Sequence, residues 1–218
     1  MLSVNTLRGT TLERTTFGAD GEVPDRAVWI DLYSPTLAED KLVERALGIA
    51  VPTREEMHEI EITSRLYVEG GARYMTATLM CHSDTEVPRT TPVTFILSGR
   101  RLVTVRYDEP KPFAIVGAKL ARLCPTNVTG ETVLMELLDA VIDRAADILE
   151  RIGNDVDAIS QEILESKGGM SRGHSFKEIL KSIGRRGDHT SKARESLVSI
   201  GRLLLYLAAE ADTMRPTP

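Results

Sequence analysis

The sequence predicts an α/β (α+β) protein in which a layered α/β/α sandwich domain is followed by a long antiparallel helical hairpin. Two observations lead to this prediction. Short segments with strand and helix patterns alternate as far as about residue 125, which is typical of a layered domain. Residues 132–165 then carry apolar side chains at alternating steps of four and three, which indicates one long helix with a narrow seam. We therefore divide the chain into a layered domain, residues 1–126, and a helical arm, residues 127–214.

The layered domain begins with strand patterns that lead into a helix. Residues 2–7 and 11–17 alternate as strands do, and residues 27–32, AVWIDL, have the composition of a buried strand. A helix should follow, because residues 36–39 form a capping box at its start and Gly48 is a normal C-terminal glycine.

A second capping box, formed by Thr53 and Glu56, predicts a short helix that runs to about residue 60. The glycine-centred turns Gly70-Gly71 and Gly99-Arg100 then indicate two β-hairpins. Residues 113–123 have the pattern of an amphipathic helix, which completes the predicted domain.

The helical arm opens with a helix whose two sides differ in chemistry. Its predicted apolar seam consists of Leu138, Ile142, Ala145, Leu149, Ile152, Val156, Ile159 and Ile163. Carboxylates follow one another along the other side, at Glu136, Asp139, Asp143, Asp147 and Glu150. Residues 131–165 hold ten Asp or Glu against two Arg, and like charges four residues apart cost roughly a few tenths of a kcal/mol per pair. This acidic side is therefore either solvated or neutralised by a basic element or by hydrated divalent cations.

A second, basic helix completes the predicted hairpin. Residues 175–210 have helical periodicity, although Gly184 and Gly187 weaken it by about 1 kcal/mol each. Residues 167–202 hold nine Lys or Arg against three Asp or Glu. A turn at residues 168–173 would place this helix antiparallel to the acidic one. Apolar contacts should supply most of the stability, because surface ion pairs contribute little.

Composition and charge argue against several functional classes. The net charge of −5 provides no positive field for general nucleic-acid binding. Cys81 and Cys124 lack metal-site spacing and are expected to be buried thiols of a reducing compartment. The sequence starts without a signal-peptide pattern, and no apolar run approaches the roughly 20 residues of a membrane span. We therefore expect this chain by itself to be soluble.

No catalytic constellation is present, so we do not expect an enzyme. The sequence has no P-loop, nucleophile elbow, HExxH motif or cysteine cluster, and its four histidines are scattered and expected at the polar surface. Carboxylates are concentrated at Glu55, Glu56, Glu59 and Glu61. Such oxygen ligands suit Mg²⁺ or Ca²⁺, although Glu55 and Glu56 also suit the first turn of a helix.

Four segments, taken in their order along the chain, carry a family resemblance. They are WIDL at residues 29–32, LGIAVPTREEMHEIEITSRLYVEG, VTFILSGRRLVTVRYDEPKPF and VLMELLDAVIDRAADILERIGNDVDAISQEIL. In this order and spacing, they resemble the cytosolic N-terminal region of the CorA-type divalent-cation transporters, a family that includes magnesium channels and ZntB-like zinc transporters. The resemblance covers nearly all of the chain.

The resemblance implies an assembly and a regulatory site. In this family, a layered α/β/α domain and long helices form a funnel-shaped homopentamer beneath a membrane pore, and cytosolic Mg²⁺ bridging carboxylates of adjacent subunits holds the pore shut. The first of these carboxylates lies in the short helix after a G-I-x-P segment. Here that segment is Gly48-Ile49-Ala50-Val51-Pro52, one residue longer, so Glu56 matches the site and Glu55 is the neighbouring choice. An aspartate is commoner at that position in the family.

The same resemblance makes Mg²⁺, or Co²⁺ or Zn²⁺ in other branches, the expected transported and regulatory ion. On the acidic helix, Asp139, Asp143 and Asp147 are further candidate ligands. The second regulatory carboxylate, the two membrane helices and the Gly-Met-Asn motif of the family have no counterpart in these residues. We therefore expect a regulatory part of a transporter at the cytoplasmic face of the inner membrane, pentameric in the full-length protein and weakly associated or monomeric as this chain.

Two alternatives remain open. The chain could be a soluble interaction module whose acidic helix binds a basic partner, in which case Na⁺ would act like Mg²⁺ at equal ionic strength. Within the family, it could instead belong to a ZntB-like zinc transporter, although the scattered histidines provide no argued zinc site.

Overall fold

The computed structural model describes residues 1–18, 21–85, 87–125, 127–165 and 176–213. The strands among them are β1 Leu2–Arg8, β2 Thr11–Phe17, β3 Ala27–Tyr33, β4 Leu66–Glu69, β5 Ala72–Cys81, β6 Arg89–Ser98 and β7 Arg101–Arg106. The α-helices are α1 Leu37–Leu47, α2 Ile62–Arg65, α3 Lys111–Arg122, α4 Gly130–Glu165 and α5 Phe176–Thr213. One 3₁₀ turn, Glu56–His58, precedes α2.

The described strands form one mixed sheet in the order β2-β1-β3-β7-β6-β5-β4. Strands β3 and β7 pair in parallel, with Trp29 opposite Leu102 and Tyr33 opposite Arg106. The other described neighbours pair antiparallel, including the two hairpins predicted at the glycine turns. The parallel pair therefore joins an N-terminal half of three strands to a C-terminal half of four.

Helices cover both faces of this sheet. On one face, α1 and the 3₁₀ turn contribute Val43 and Met57 to a core that contains residues of β1, β3 and β5 to β7. On the other face, α3, α4 and α5 contribute Phe113, Leu137 and Leu203 to a second core. The predicted α/β/α sandwich is confirmed.

The signals that begin and end α1 act as predicted. The backbone N–H of Glu39 donates to Thr36 Oγ1 at 3.3 Å, and the Glu39 carboxylate accepts from the backbone N–H of Thr36 at 2.8 Å. At the other end Gly48 has a φ of 65°, which glycine adopts without steric cost.

The short helix predicted from Thr53 to about residue 60 is wrong in length. Only the 3₁₀ turn Glu56–His58 forms, and Glu59 leaves helical geometry with a ψ of 143°. Met57 is buried, but Ile60 is 89% exposed. A longer helix would therefore gain no second apolar contact, and a short helix without tertiary contacts is unstable in water.

The narrow seam predicted for α4 is only partly correct. Leu138, Ala145 and Ile152 are buried as predicted, whereas Ile142 and Leu149 remain more than a third exposed. The buried face is instead a broader stripe, made of Val133, Leu134, Leu137, Leu138, Val141, Ala145, Ile148 and Ile152. Such a stripe is typical of a helix that packs on a sheet and on neighbouring helices, because one narrow line of contacts does not cover those surfaces.

Helices α4 and α5 run antiparallel. Asp155 pairs with Arg186 at 2.9 Å, whereas earlier in α4 Ala145 lines a small cavity together with Ala193 and Ser196 of α5. Helix α5 continues through Gly184 and Gly187 without a break. The predicted turn at residues 168–173 and the predicted boundary residue 126 lie outside the described residues.

The start of α4 lies directly against the turn between β6 and β7. The N–H of Gly130 donates to the carbonyl oxygen of Arg100 at 2.7 Å. A Cβ atom at position 130 would lie 2.4 Å from the carbonyl carbon of Arg101 and from the nitrogen of Leu102. Only glycine fits here without moving the backbone.

A buried polar network crosses the parallel strand pair. The Asp31 carboxylate accepts hydrogen bonds from Arg106 Nε at 3.0 Å, from Arg106 Nη2 at 2.9 Å and from Thr104 Oγ1 at 2.8 Å. The indole N–H of Trp29 donates to Thr104 Oγ1 at 3.0 Å. The Arg106 guanidinium also lies 4.8 Å from the Phe113 ring centroid, so the network connects both strands to α3.

Among the described residues, none of the helices combines the length and apolarity that crossing a bilayer requires.

Asp31→Ala should lower the free energy of unfolding by about 3–5 kcal/mol, because it leaves the buried Arg106 without its carboxylate partner. Urea denaturation measures the change. Glu13→Ala, which breaks the exposed pair between Glu13 and Arg8, is the matched control and should cost roughly 0–1 kcal/mol. Equal decreases in the free energy of unfolding for the two variants would contradict a special contribution of the buried Asp31–Arg106 pair to stability.

Asp40→Asn should stabilise the protein at neutral pH but not in acid. Burial of the Asp40 carboxylate, followed by the nearby Glu44 and Glu39 carboxylates, raises its pKa to about 6. The folded state therefore holds a proton that the unfolded state releases, and stability falls as pH rises from about 4 through about 6. With partial exposure taken into account, we expect a gain of about 1 kcal/mol at pH 7.5.

Urea denaturation of the Asp40 variant at pH 4 and pH 7.5 tests this. The exposed Asp25→Asn is the control and should change stability little at either pH. A gain of equal size at both pH values would show that ionisation of Asp40 is not its cause.

Candidate cation-sensing carboxylates

The carboxylates of the 3₁₀ turn are positioned by one buried side chain and one local cap. Met57 is buried, and this anchors the turn against the sheet. The Glu56 carboxylate accepts from the Thr53 N–H at 2.7 Å and from the Thr53 hydroxyl at 3.0 Å. Glu55 is exposed beside it. Glu56 therefore serves the local structure while its side chain stays at the surface.

The acidic stripe on α4 is partly neutralised by α3. Lys119 forms an ion pair with Glu136. This hydrogen bond, with Asp139 and Asp143 nearby, raises the pKa of Lys119. Asp139, Asp143 and Asp147 are themselves exposed. The sequence left open whether this acidic side is solvated or neutralised by a basic element or by cations. In the structure, Lys119 of α3 neutralises Glu136, and the three aspartates remain exposed.

The two predicted sets of ligands lie on opposite faces of the sheet. Met57, next to Glu56, belongs to the core beneath α1, whereas Leu138, next to Asp139, belongs to the core on the other face. One protomer therefore cannot use both sets for the same ion. Within the described ranges, no three His, Cys, Asp or Glu side chains converge into a metal site.

Thiol and imidazole groups are placed unfavourably for binding a soft metal. Burial raises the pKa of Cys81 to about 12 and also raises the pKa of Cys124. His58 and His82 are exposed, as expected. His189 is buried, so its predicted surface position is wrong. The fourth histidine, at position 174, lies outside the described residues.

Sequence reasoning missed a basic cluster around the loop between β5 and β6. Arg144 and Arg151 of α4 both contact Asp84 in this loop, as does Lys111 at the start of α3. The one signal in the sequence is that Arg144 and Arg151 are the two basic residues within the acidic segment 131–165, seven positions apart. That spacing places them on one side of a helix, but it does not identify their partner.

Comparison with known proteins establishes the family. The fold is a layered α/β/α domain with long helices, and the family model of the CorA-like Mg²⁺ transporter proteins matches residues 24–216. The chain belongs to this family. Its members are described as transporters and not as enzymes, in agreement with the absence of a catalytic motif.

Relatives of this chain share about a quarter of its sequence. The magnesium transport protein CorA of Pasteurella multocida is 25% identical over 209 residues, which are 95% of this chain and 64% of that protein. The CorA protein of Haemophilus influenzae is 27% identical over 193 residues, 88% of this chain and 59% of that protein. The chain thus spans about 59–64% of the length of these relatives.

Solved structures agree in fold. The soluble domain of CorA from Methanocaldococcus jannaschii has a TM-score of 0.52 at 15% identity, and the match covers 83% of this chain and 86% of that one. The cytoplasmic domain of ZntB from Vibrio parahaemolyticus has a TM-score of 0.51 at 9% identity, with coverage of 97% and 98%. At such identities the likeness shows the fold alone.

Glu56→Ala should lower the free energy of unfolding by about 1 kcal/mol, because the Thr53 N–H loses its acceptor. Glu56→Gln keeps an acceptor oxygen and should cost less. Chemical denaturation measures both, with the exposed neighbour variant Glu55→Ala as control, expected within about 0.5 kcal/mol of the unchanged chain. Equal stability of the Ala and Gln variants at position 56 would contradict a capping role.

Proposed function

We propose that this chain is the cytosolic, cation-sensing region of a CorA-like divalent-cation transporter, at the cytoplasmic face of the inner membrane. The observation that carries the proposal is that its candidate carboxylates are exposed, yet incomplete as a ligand set within one protomer. Mg²⁺ takes about six oxygen ligands and keeps several waters. The remaining ligands would come from a neighbouring subunit, as a sensor placed between subunits requires.

An uncovered apolar ridge on α4 supports assembly of several copies. Met135, Ile142, Leu149 and Val156 stand seven residues apart, and each is 37–41% exposed. A seven-residue spacing is typical of packing between long helices. We propose that the ridge is covered in a homopentamer of the full-length protein, and that this chain alone associates weakly or stays monomeric.

Regulation then follows because the closed and the open arrangement of the subunits bind Mg²⁺ with different affinities. Carboxylates of neighbouring subunits repel one another when no cation lies between them. Mg²⁺ bound at Glu56, with Glu55 beside it, or along Asp139, Asp143 and Asp147 removes this repulsion in the closed arrangement only. Binding therefore shifts the population towards the closed pore, and loss of the ion lets the subunits separate.

The ligand chemistry favours Mg²⁺ as the regulatory ion, with Co²⁺ as the second choice. The exposed candidates are all carboxylate oxygens, which suit hard cations. Cys81 and Cys124 are buried thiols with raised pKa, so they do not supply the thiolates that Zn²⁺ prefers. A ZntB-like zinc function is the alternative within the family.

Thermal unfolding with MgCl₂, compared with NaCl at matched ionic strength and at protein concentrations where sedimentation detects association, tests the proposal. At ten times its Kd, Mg²⁺ stabilises the folded chain by about 1.4 kcal/mol, or roughly 3–6 °C in Tm for a chain of this size. Glu56→Gln, which keeps the local cap, should abolish the Mg²⁺ effect if the ion binds at the turn. D139N/D143N/D147N should abolish it if the ion binds along α4. Sedimentation with and without Mg²⁺ measures the association.

The control variant E22Q/E69Q/E109Q removes three exposed charges elsewhere and should keep the Mg²⁺ response. An equal effect of Na⁺ and Mg²⁺ would reject a cation site and favour an acidic module that binds a basic partner. A response to Zn²⁺ at concentrations where Mg²⁺ has no effect would favour the zinc branch.

A further inference from the structure

The loop between β5 and β6 is held by cationic side chains from two helices. Asp84 accepts hydrogen bonds from Lys111 of α3 and from Arg144 and Arg151 of α4. Ser83 Oγ accepts from Arg144 Nη2 at 2.9 Å, and the carbonyl oxygen of Ser83 accepts from Arg151 Nη2 at 2.9 Å. A single carboxylate therefore faces three cations here.

Helix α5 adds the Arg186 guanidinium and the His189 imidazole on the other side of the same loop. Arg186 Nη2 lies 2.9 Å from Asp155 Oδ2. The buried His189 ring has Nδ1 2.9 Å from the carbonyl oxygen of Arg185 and Nε2 3.2 Å from that of Thr85.

These groups enclose a polar cleft between α4, α5 and the loop, which we call the arginine cleft. Its volume is about 380 Å³, and Ser83, Thr85, Arg151, Asp155, Arg186 and His189 are among the residues that line it. This volume lies within the range of small-molecule sites, but the lining is charged where such sites are usually apolar. Its occupant should therefore be small and charged.

The charges of this group do not balance. Among the residues that line the cleft, Arg151, Arg185 and Arg186 contribute three positive charges, against the two carboxylates of Asp84 and Asp155. In addition, Arg186 Nε is buried and has no hydrogen-bond partner among the described residues. A buried donor without an acceptor is rare in folded proteins. The excess of positive charge in the lining indicates an anionic occupant.

We propose that the arginine cleft binds an oxyanion of the phosphate class, either orthophosphate or the phosphate groups of a nucleotide. Guanidinium groups bind phosphate through paired, charge-assisted N–H···O bonds. The anion accepts from guanidinium N–H groups of Arg186 and of Arg151, so it bridges α5 and α4. The cleft shares no residue with the carboxylates proposed to bind Mg²⁺, so it is a separate site.

Isothermal titration in a divalent-free buffer tests this, with sodium phosphate and ADP as probes and with sulfate and chloride at matched ionic strength as reference anions. Phosphate or ADP should bind more tightly than chloride. Arg186→Gln and Arg151→Gln should each weaken binding about tenfold or more, because each removes a guanidinium group that donates charge-assisted hydrogen bonds to the anion. Asp155→Asn, which frees Arg186 from its carboxylate, should tighten binding about threefold or more.

The control variants Arg100→Gln and Arg122→Gln remove exposed positive charges elsewhere and should leave binding unchanged. Because Arg151 also holds the loop, Arg186→Lys gives a second test: it keeps the charge but loses the planar fork, and binding should weaken. If ADP binds and sodium phosphate does not, the ligand is a nucleotide. If ADP and phosphate bind equally tightly, the ligand is the free anion. A response equal to that of chloride, or one that the control variants also lose, overturns the proposal.

Discussion

The fold depends on the buried ion pair between Asp31 and Arg106. These residues sit on β3 and β7, the strands whose parallel pairing joins the two halves of the sheet. Removing two charges from water is costly, and the cost is offset only when every lone pair and N–H has a partner. Thr104 donates to Asp31 and accepts from Trp29, and the Asp108 carbonyl oxygen accepts from Arg106 Nη1 at 2.9 Å. The Phe113 ring lies against the same guanidinium. The pair thereby fixes the register of the sheet centre and the position of α3 above it.

Local signals predicted the layered domain well, because each of them acts over a few residues. Thr36 and Glu39 form the predicted reciprocal cap, and Gly48 ends α1 in the left-handed conformation. The turns at Gly70-Gly71 and Gly99-Arg100 close hairpins whose strands pair in the expected order. The identity of the candidate site, in contrast, came from a family resemblance, and the exposed carboxylates at Glu55 and Glu56 carry no local signal that separates a cap from a ligand.

Long-range contacts decided the features that the sequence left open or predicted incorrectly. The buried stripe of α4 differs from the predicted seam because it faces the sheet as well as α5, and periodicity does not specify what a helix packs against. Helix formation after Thr53 stops after one turn because Ile60 finds no core. The arginine cleft was missed because Ser83, Arg151 and Arg186 are far apart in the chain and meet only in the fold.

The close contact at Gly130 fixes the position of the first residue of α4 on the sheet. Backbone atoms of Arg101 and Leu102 leave no room for a side chain there, so the N-terminal end of the helix is held in one position on the sheet. Helix α4 has 36 residues that rise 1.5 Å each. A tilt of about five degrees at Gly130 would therefore move its C-terminal end by about 4–5 Å. Any tilt of α4 at Gly130 would therefore displace its far end more than its near end.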